Sequence, residues 1–397
     1  MLLMNKYQKT LLGLHEYCKN ENYKGYSLYD SHNGKIPFEK FGSIISFYTN
    51  QLFKRSPINL RRLAGVEKGI NPKGMGLFLL SYSKLKKLKL IDDSELDELN
   101  KFFFEWLINN PSEGYTGYSW GYNYDWPHRT GDMFYKNTPS SVVTGFNCRA
   151  MMEYYSVYKD ERVKEVIRGA AKFIKKDIIL TETEFGLCYS YTPARQDLTV
   201  NASLLAAEVL AYDDFLNDKR EHTEEIKGVL DFTLHFQNSD GSWYYKHELE
   251  TYEPKKQIDF HQGYVVEIMR NILSHTEFED VQYSNSIKKG LDFYYNNQFD
   301  DKGRALWRLP KVWPIDIHNQ SQGIITFSKF SSLDENYIER ATKILDWTIQ
   351  NMLSPKGFFY YQKYSMVTNK TPYLRWNQGW MMVALATYLE TLEKRQG

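Results

Sequence analysis

Cysteine is scarce in this 397-residue chain. Cys18, Cys148 and Cys188 are the three, and no two stand at CxxC spacing. A disulfide framework and a cysteine-based zinc site are therefore not expected. Net charge is also nearly absent, at +1, so no overall field recruits nucleic acid or an acidic membrane surface. No apolar run is long enough to form a bilayer-spanning helix. The opening MLLMNKYQKTLLGLHEYCKN lacks a basic start followed by an apolar run. It reads as an amphipathic helix and not as a signal peptide, which makes a cytoplasmic location the expectation. Reaction signatures are missing too. NPKGMG at 71–76 departs from the phosphate-loop pattern, and no GxSxG, HExxH or Cys–His signature occurs. Nucleotide cofactors, a serine or cysteine nucleophile and a helix-borne zinc site are thereby set aside, and no cofactor is expected.

Aromatic residues, by contrast, are abundant: 31 Tyr, 23 Phe and 9 Trp make up 16% of the chain. Many fall in loops, where core packing does not require them. Flat rings in loops suit the walls of a sugar-binding cleft, and they equally suit the packed edges of helical hairpins.

A second feature is a repeat. Small residues open apolar helical runs at Gly145, Ser203, Gly263, Gly323 and Gly379, each after a polar, aromatic-rich loop. The steps are 203−145=58, 263−203=60, 323−263=60 and 379−323=56. Gly76 in NPKGMGLFLLSY is a sixth candidate after a longer step of 145−76=69. This period fits two helices and a loop, and such hairpins bury their apolar faces by stacking into a ring. The expectation is all-α: an (α/α)6 toroid occupying residues 1–397 as one domain, with 1–60 an N-terminal helical segment that completes the ring. Short aromatic β-hairpins would sit at one rim. Helices are predicted at 5–20, 40–53, 76–90, 94–109, 141–158, 161–176, 200–216, 221–236, 262–275, 283–297, 322–331, 335–352 and 378–394. Residues 54–75, with two prolines and a basic cluster, read as loop and short helix.

The stretches KGVLDFTLHFQNSDGSW at 227–243 and KGLDFYYNNQFDDKGRALW at 289–307 share a helix end, a Gln, a Gly turn and a returning aromatic. They resemble the QW motif of terpenoid cyclases, with Thr233 standing where that motif has an aliphatic residue. Together with the hairpin period and YLRWNQGWMMVALATYLE at the C-terminus, they make residues 60–397 similar to the six-hairpin toroids. These include unsaturated glucuronyl hydrolases, uronate lyases and the helical domain of glucuronyl C5-epimerases. No catalytic signature of one family aligns, so residue roles rest on position and chemistry.

In such a ring the first helix of each hairpin lines the inner wall, and its N-terminus faces the cleft, where partial positive charge favours anions. The candidates there are Asp197, Asp259, His261, Asp316 and His318 for catalysis. For substrate binding they are Arg195, Arg375, Asn377, Trp126, Asp125, Arg129 and Trp313. His128 and Asp132 lie in the same long loop as Asp125. Helix capping alone also explains Asp and Asn at these places. Two carboxyl groups across a bond serve glycoside hydrolysis, whereas His with Arg and Asn serves proton abstraction beside a uronate carboxylate. The two Asp-x-His pairs could also meet across the rim around zinc, but their spacing is not that of a helix-borne site and no metal is expected.

The resemblance implies an enzyme on an acidic oligo- or polysaccharide, with hydrolysis first because hydrolases are the larger part of the superfamily, and uronate elimination or C5-epimerisation next. A terpenoid cyclase or prenyltransferase relative is a rival, although no DxDD acid is present. A non-catalytic glycan-binding scaffold is another. No nucleic-acid or membrane partner is expected, and oligomeric state stays open.

Overall fold

The computed structural model describes residues 5–127, 133–278 and 280–396. Helices α1 (Lys6–Asn20) and α2 (Ser43–Arg55) come first, followed by α3 (Pro72–Leu85) and α4 (Asp93–Asn109). The alternation continues with α5 (Ser141–Tyr158), α6 (Arg162–Asp177), α7 (Val200–Asn217) and α8 (Thr223–His235). It ends with α9 (His261–Ser274), α10 (Val281–Asn297), α11 (Ile317–Lys329), α12 (Glu335–Met352) and α13 (Trp380–Gln396).

Two kinds of helix alternate because their sequences differ in kind. In α3 every residue is buried, and in α7 so is every residue from Val200 to Asp214. A helix without a polar face is stable only when enclosed. By contrast α6 buries Val163, Val166, Ile167, Ala170, Phe173 and Ile174 on one side and turns its Lys and Glu residues outward. The enclosed helices α3, α5, α7, α9, α11 and α13 touch in that order, and α13 returns to α3. Outside them α4 packs on α3, α6 and α8 on α7, α10 on α9, and α12 on α11. The sixth outer position, on α13, is taken by α1. The chain is therefore an (α/α)6 toroid.

The repeated small residues explain how the inner ring closes up. Gly76, Gly145, Ser203, Gly263 and Gly323 lie within inner helices, and Gly379 lies just ahead of α13. A Cβ on Gly76 would stand 2.1 Å from Asn147 Oδ1, and one on Gly145 would stand 2.9 Å from Leu205 Cβ. A side chain at Gly76 or Gly145 would push neighbouring inner helices apart.

Two helix starts differ from the sequence expectation by four residues or more, those of α3 and α11. α3 begins at Pro72 and not at 76, because Asn71 caps it by accepting from the Gly74 amide at 3.3 Å and proline fits the first helical position. α11 begins at Ile317 and not at 322, capped by Asp316, which accepts from the His318 amide at 2.8 Å. Both shifts bring further residues into the first turns at the rim.

That rim carries the short strands. β1 (Trp126–Pro127) pairs with β2 (Met133–Phe134), and β3 (Leu180–Thr183) with β4 (Gly186–Tyr189). β5 (Leu198–Thr199), β6 (Lys246–His247) and β7 (Pro254–Lys255) form one antiparallel sheet. β8 (Ile315–Asp316), β9 (Gln362–Lys363) and β10 (Thr368–Asn369) form another. The Gln-containing brackets tie these returns down. Gln237 Nε2 donates to the Gly241 and Ser286 carbonyls, and the Trp243 indole donates to the Thr233 carbonyl. In the second bracket the residue matching Trp243 is Ala305, bridged to Phe299, and Trp307 turns to the cavity described below. All three cysteines are buried and unpaired. No described helix is long and apolar enough to cross a membrane.

Candidate active site

The inner helices present their first turns to one cavity of about 330 Å³, within the range of small-molecule sites. Lys73 of α3, Val142 of α5, Asn201 of α7, His261 and Tyr264 of α9, and His318 and Asn319 of α11 line it. Arg375 and Trp376 reach it from Leu374–Gly379, a π-helical turn that leads into α13. Loop aromatics form the walls. Tyr122 and Tyr124 stack at 5.2 Å, and Trp126 stacks on Tyr29 at 5.6 Å.

Asp259 is buried, and its Oδ1 meets His261 Nδ1 at 2.6 Å while Gln257 Nε2 donates to its Oδ2 at 2.8 Å. Burial alone would raise this carboxyl. The charge and hydrogen bonds of His261, with Arg308 3.8 Å away, outweigh burial and hold it below the ordinary carboxylate value. With Nδ1 engaged, Nε2 is the nitrogen of His261 that has no partner among the described residues.

His318 is held differently. Its Nε2 lies 2.5 Å from the Tyr264 hydroxyl, and its Nδ1 has no partner among the described residues. Burial, then Lys73 and Arg375, push its pKa well below the usual imidazole value, so the ring is neutral at pH 7. Burial pushes the Tyr264 hydroxyl up, so it stays protonated and donates to Nε2; the imidazole proton then sits on Nδ1. Phe260 separates the two imidazoles, with ring centroids 4.2 Å from His261 and 4.5 Å from His318.

Asp197 also lines the cavity. Burial raises its carboxyl in spite of hydrogen bonds from Thr199 and the Tyr191 amide, and its Oδ1 has no partner among the described residues. Thr192 Oγ1, Asn201 Oδ1, Asn319 Oδ1 and Arg375 Nε are buried and partnerless in the same sense. Such groups carry a desolvation penalty that a polar ligand removes.

Of the residues read from the sequence, Asp197, Asp259, His261, His318, Arg195, Arg375 and Trp126 come together at this cavity. Asp316 does not line it. Its carboxylate caps α11 and accepts from Gln362 Nε2 at 2.6 Å and the Trp376 indole at 2.9 Å, so it props Trp376 from behind. Asn377 donates to the Phe359 and Thr371 carbonyls, Asp125 accepts from the Lys136 amide, and Trp313 packs under Arg304. Arg129, with His128 and Asp132, lies outside the described residues.

The sequence reading passed over Lys73, Tyr264, Lys246, Lys255, Arg308 and Trp376, which also line the cavity. A signal for some of them was present. The residues three before the repeated small positions include Lys73 (76−3), Val142 (145−3), Phe260 (263−3) and Trp376 (379−3), and all four face the cavity. Among the described residues one acid–histidine group has metal-like spacing, Asp213, Glu221 and His222; it lies away from the cavity. Its Asp213 is occupied by His222 at 3.1 Å and Arg168 at 3.3 Å.

Solved structures of the same architecture are numerous. Cellobiose 2-epimerase from Bacillus thermoamylovorans superposes with a TM-score of 0.65 at 13% identity, covering 96% of this chain and 99% of the other. An unsaturated glucuronyl hydrolase specific for heparin gives 0.61 at 13% identity over 98% and 97%. A D-mannose isomerase gives 0.59 at 11% identity over 82% and 87%. No protein-family model matches the sequence, and no curated protein does. At these identities the likeness shows the fold: the (α/α)6 toroid that carbohydrate-active enzymes share.

Proposed function

We propose that this protein is a carbohydrate-active enzyme that moves a proton at a sugar carbon next to a carbonyl or carboxyl group, as an epimerase or isomerase does. The observation that supports it most is a pair of unlike imidazoles at one cavity: His261, steered by the Asp259 carboxylate, and neutral His318, fed by Tyr264. In this reading His261 Nε2 takes the proton from carbon. The electron pair moves into the adjacent carbonyl, and cationic side chains that line the cavity stabilise the resulting oxyanion. His318 Nδ1–H returns a proton to carbon as Tyr264 protonates its Nε2; Nε2 then hands that proton back to Tyr264 and Nδ1 regains one from solvent, matching the proton that His261 releases to solvent. Atoms and charge balance without a redox partner.

Two observations favour a saccharide. Aromatic faces wall the cavity, and buried polar atoms without protein partners line it. Two of the similar toroids are a sugar 2-epimerase and a sugar isomerase, an analogy of fold that adds weight to this chemistry. The buried cations and partnerless polar atoms of the lining do not suit an isoprenoid.

A second reading, glycoside hydrolysis, is favoured by one feature. Asp197 and Asp259 share the cavity, and their surroundings push one carboxyl up and the other down, as an acid and a base require. Incubation with neutral and uronate saccharides in D2O separates these chemistries. Deuterium entering the sugar without new reducing ends supports proton transfer. Ultraviolet absorbance of a new double bond would mark elimination, which shares the first step. New reducing ends on a sugar that takes up no deuterium at carbon would replace the proposal with hydrolysis.

A further inference from the structure

Five Lys and Arg side chains are buried among the described residues: Arg61, Lys73, Lys84, Arg149 and Arg375. Three have a carboxylate. Arg61 meets Asp30 at 2.6 Å, Lys84 meets Glu390 at 2.9 Å, and Arg149 meets Glu208 at 2.8 Å. Lys73 and Arg375 have none. Lys73 stands over the Phe146 ring at 4.0 Å and makes no hydrogen bond or ion pair to the described residues. Arg375 lies over Tyr122 and Trp376, and its Nε is buried without a partner among the described residues.

These two cations are neighbours. Gly74, next to Lys73, faces the Arg375 side chain so closely that a Cβ there would stand 3.6 Å from Arg375 Cβ. Both line the one cavity, and both sit where an inner helix begins. A buried cation without a counter-charge is strongly unfavourable, and two side by side repel each other. The other buried cations show how this fold normally solves the problem. The exception falls in the ligand cavity and nowhere else among the described residues, so the missing counter-charge belongs to the ligand.

We infer that Lys73 and Arg375 form an oxyanion-binding subsite at the floor of the cavity, which takes a carboxylate or phosphate group carried by the sugar substrate. The guanidinium of Arg375 offers a planar fork to two oxygens, and Lys73 offers a compact charge beside it. Burial, reinforced by Arg375 and Arg149, pushes the Lys73 ammonium well below its ordinary value, and an anion beside it would stabilise the charged form that burial disfavours. This assignment rests on the reading of the ligand as a sugar, and it narrows that ligand to an acidic one.

The test is calorimetric titration of the full chain with glucuronate, glucose 6-phosphate, glucose and inorganic phosphate, on wild type, Lys73→Met and Arg375→Met. Wild type should bind at least one acidic sugar about tenfold or more tighter than glucose. Glucuronate above glucose 6-phosphate identifies a carboxylate site, and the reverse order a phosphate site. Each variant should lose about tenfold to a hundredfold of that affinity and keep its affinity for glucose. Arg375→Met removes packing on Tyr122 and Trp376 and can fail to fold, whereas Lys73→Met removes an uncompensated charge and should melt at or above the wild-type temperature. Equal binding of glucose and both acidic sugars, or an acid preference that survives Lys73→Met, overturns the subsite. A lowered melting temperature in Lys73→Met would reveal a structural partner and overturn it as well. Deuterium uptake by a neutral sugar without any acid preference would sink this subsite and leave the proton-transfer reading intact. Lys73-dependent binding of inorganic phosphate or of an acidic sugar, with no deuterium uptake, would do the opposite.

Discussion

Asp259, His261 and Asp316 show how residues of one type part company within a single motif. The two Asp-x-His pairs are equivalent in sequence, yet Asp259 grips its own histidine and Asp316 grips Gln362, the Trp376 indole and a backbone amide. Replacing His261 by Ala should cut deuterium exchange into substrate by about 10²–10⁴-fold. The fold should survive with a lowered melting temperature, because buried Asp259 is left with Gln257 and the more distant Arg308. Full turnover in this variant would remove His261 from the mechanism. Asp316 makes a different prediction. Burial raises its carboxyl to about 6, above the ordinary 3.8, so folding favours the protonated form. Its contribution is fully present below pH 3.8 and is lost as the pH rises through 6. Wild type should therefore lose urea resistance relative to Asp316→Asn between pH 4.5 and 7.5, by on the order of 2–3 kcal/mol. A gap between the two proteins that stays constant with pH would contradict this.

Helix α13 and helix α3 close the inner ring, and the contact is electrostatic as well as apolar. Lys84 of α3 lies between Glu390 of α13 and Glu153 of α5, at 2.9 and 3.1 Å. Burial would raise Glu390, but Lys84 and Lys394 outweigh it and hold the carboxyl down at about 2, below the ordinary 4.5. That stabilisation is present above pH 4.5 and fades as the pH falls through 2. Glu390→Ala should cost about 1.5–3 kcal/mol at pH 7, because it removes a charged hydrogen bond and leaves Lys84 with Glu153 alone, and denaturant titration measures it. The loss should shrink toward pH 2. At this scale the sequence was informative. Periodicity and caps placed α5 at 141–158 and α12 at 335–352, where they are found. The start of α3 was hidden because Asn71-Pro72 reads as a turn unless the proline is recognised as the first helical residue. Lys73 was hidden with it.

The molecule as a whole is a closed ring in which α1, the first helix described, covers α13, the last. Leu11 and Leu14 of α1 are fully buried. Leu14→Ala should therefore destabilise the protein by about 2–5 kcal/mol. A ring without free ends has no separable terminal unit, so unfolding should stay a single transition by fluorescence and circular dichroism alike. Early, separate loss of α1 would show that closure is weaker than its contacts indicate.

The order of elements was fixed by local chemistry written along the chain. Small residues every 56–60 positions, enclosed runs alternating with one-faced helices, and polar caps specify hairpins and the ring they close. Roughly half of the candidate site was legible by the same means, because a residue in the first turn of an inner helix is carried to the rim. Tertiary structure alone decided which of those residues meet. Whether Asp316 faces the cavity or props Trp376, and whether a buried lysine finds a carboxylate, depends on side chains separated by 46 to 306 positions in sequence. Local pattern specifies where a helix starts; only packing against distant neighbours specifies which charges are left for a ligand to neutralise.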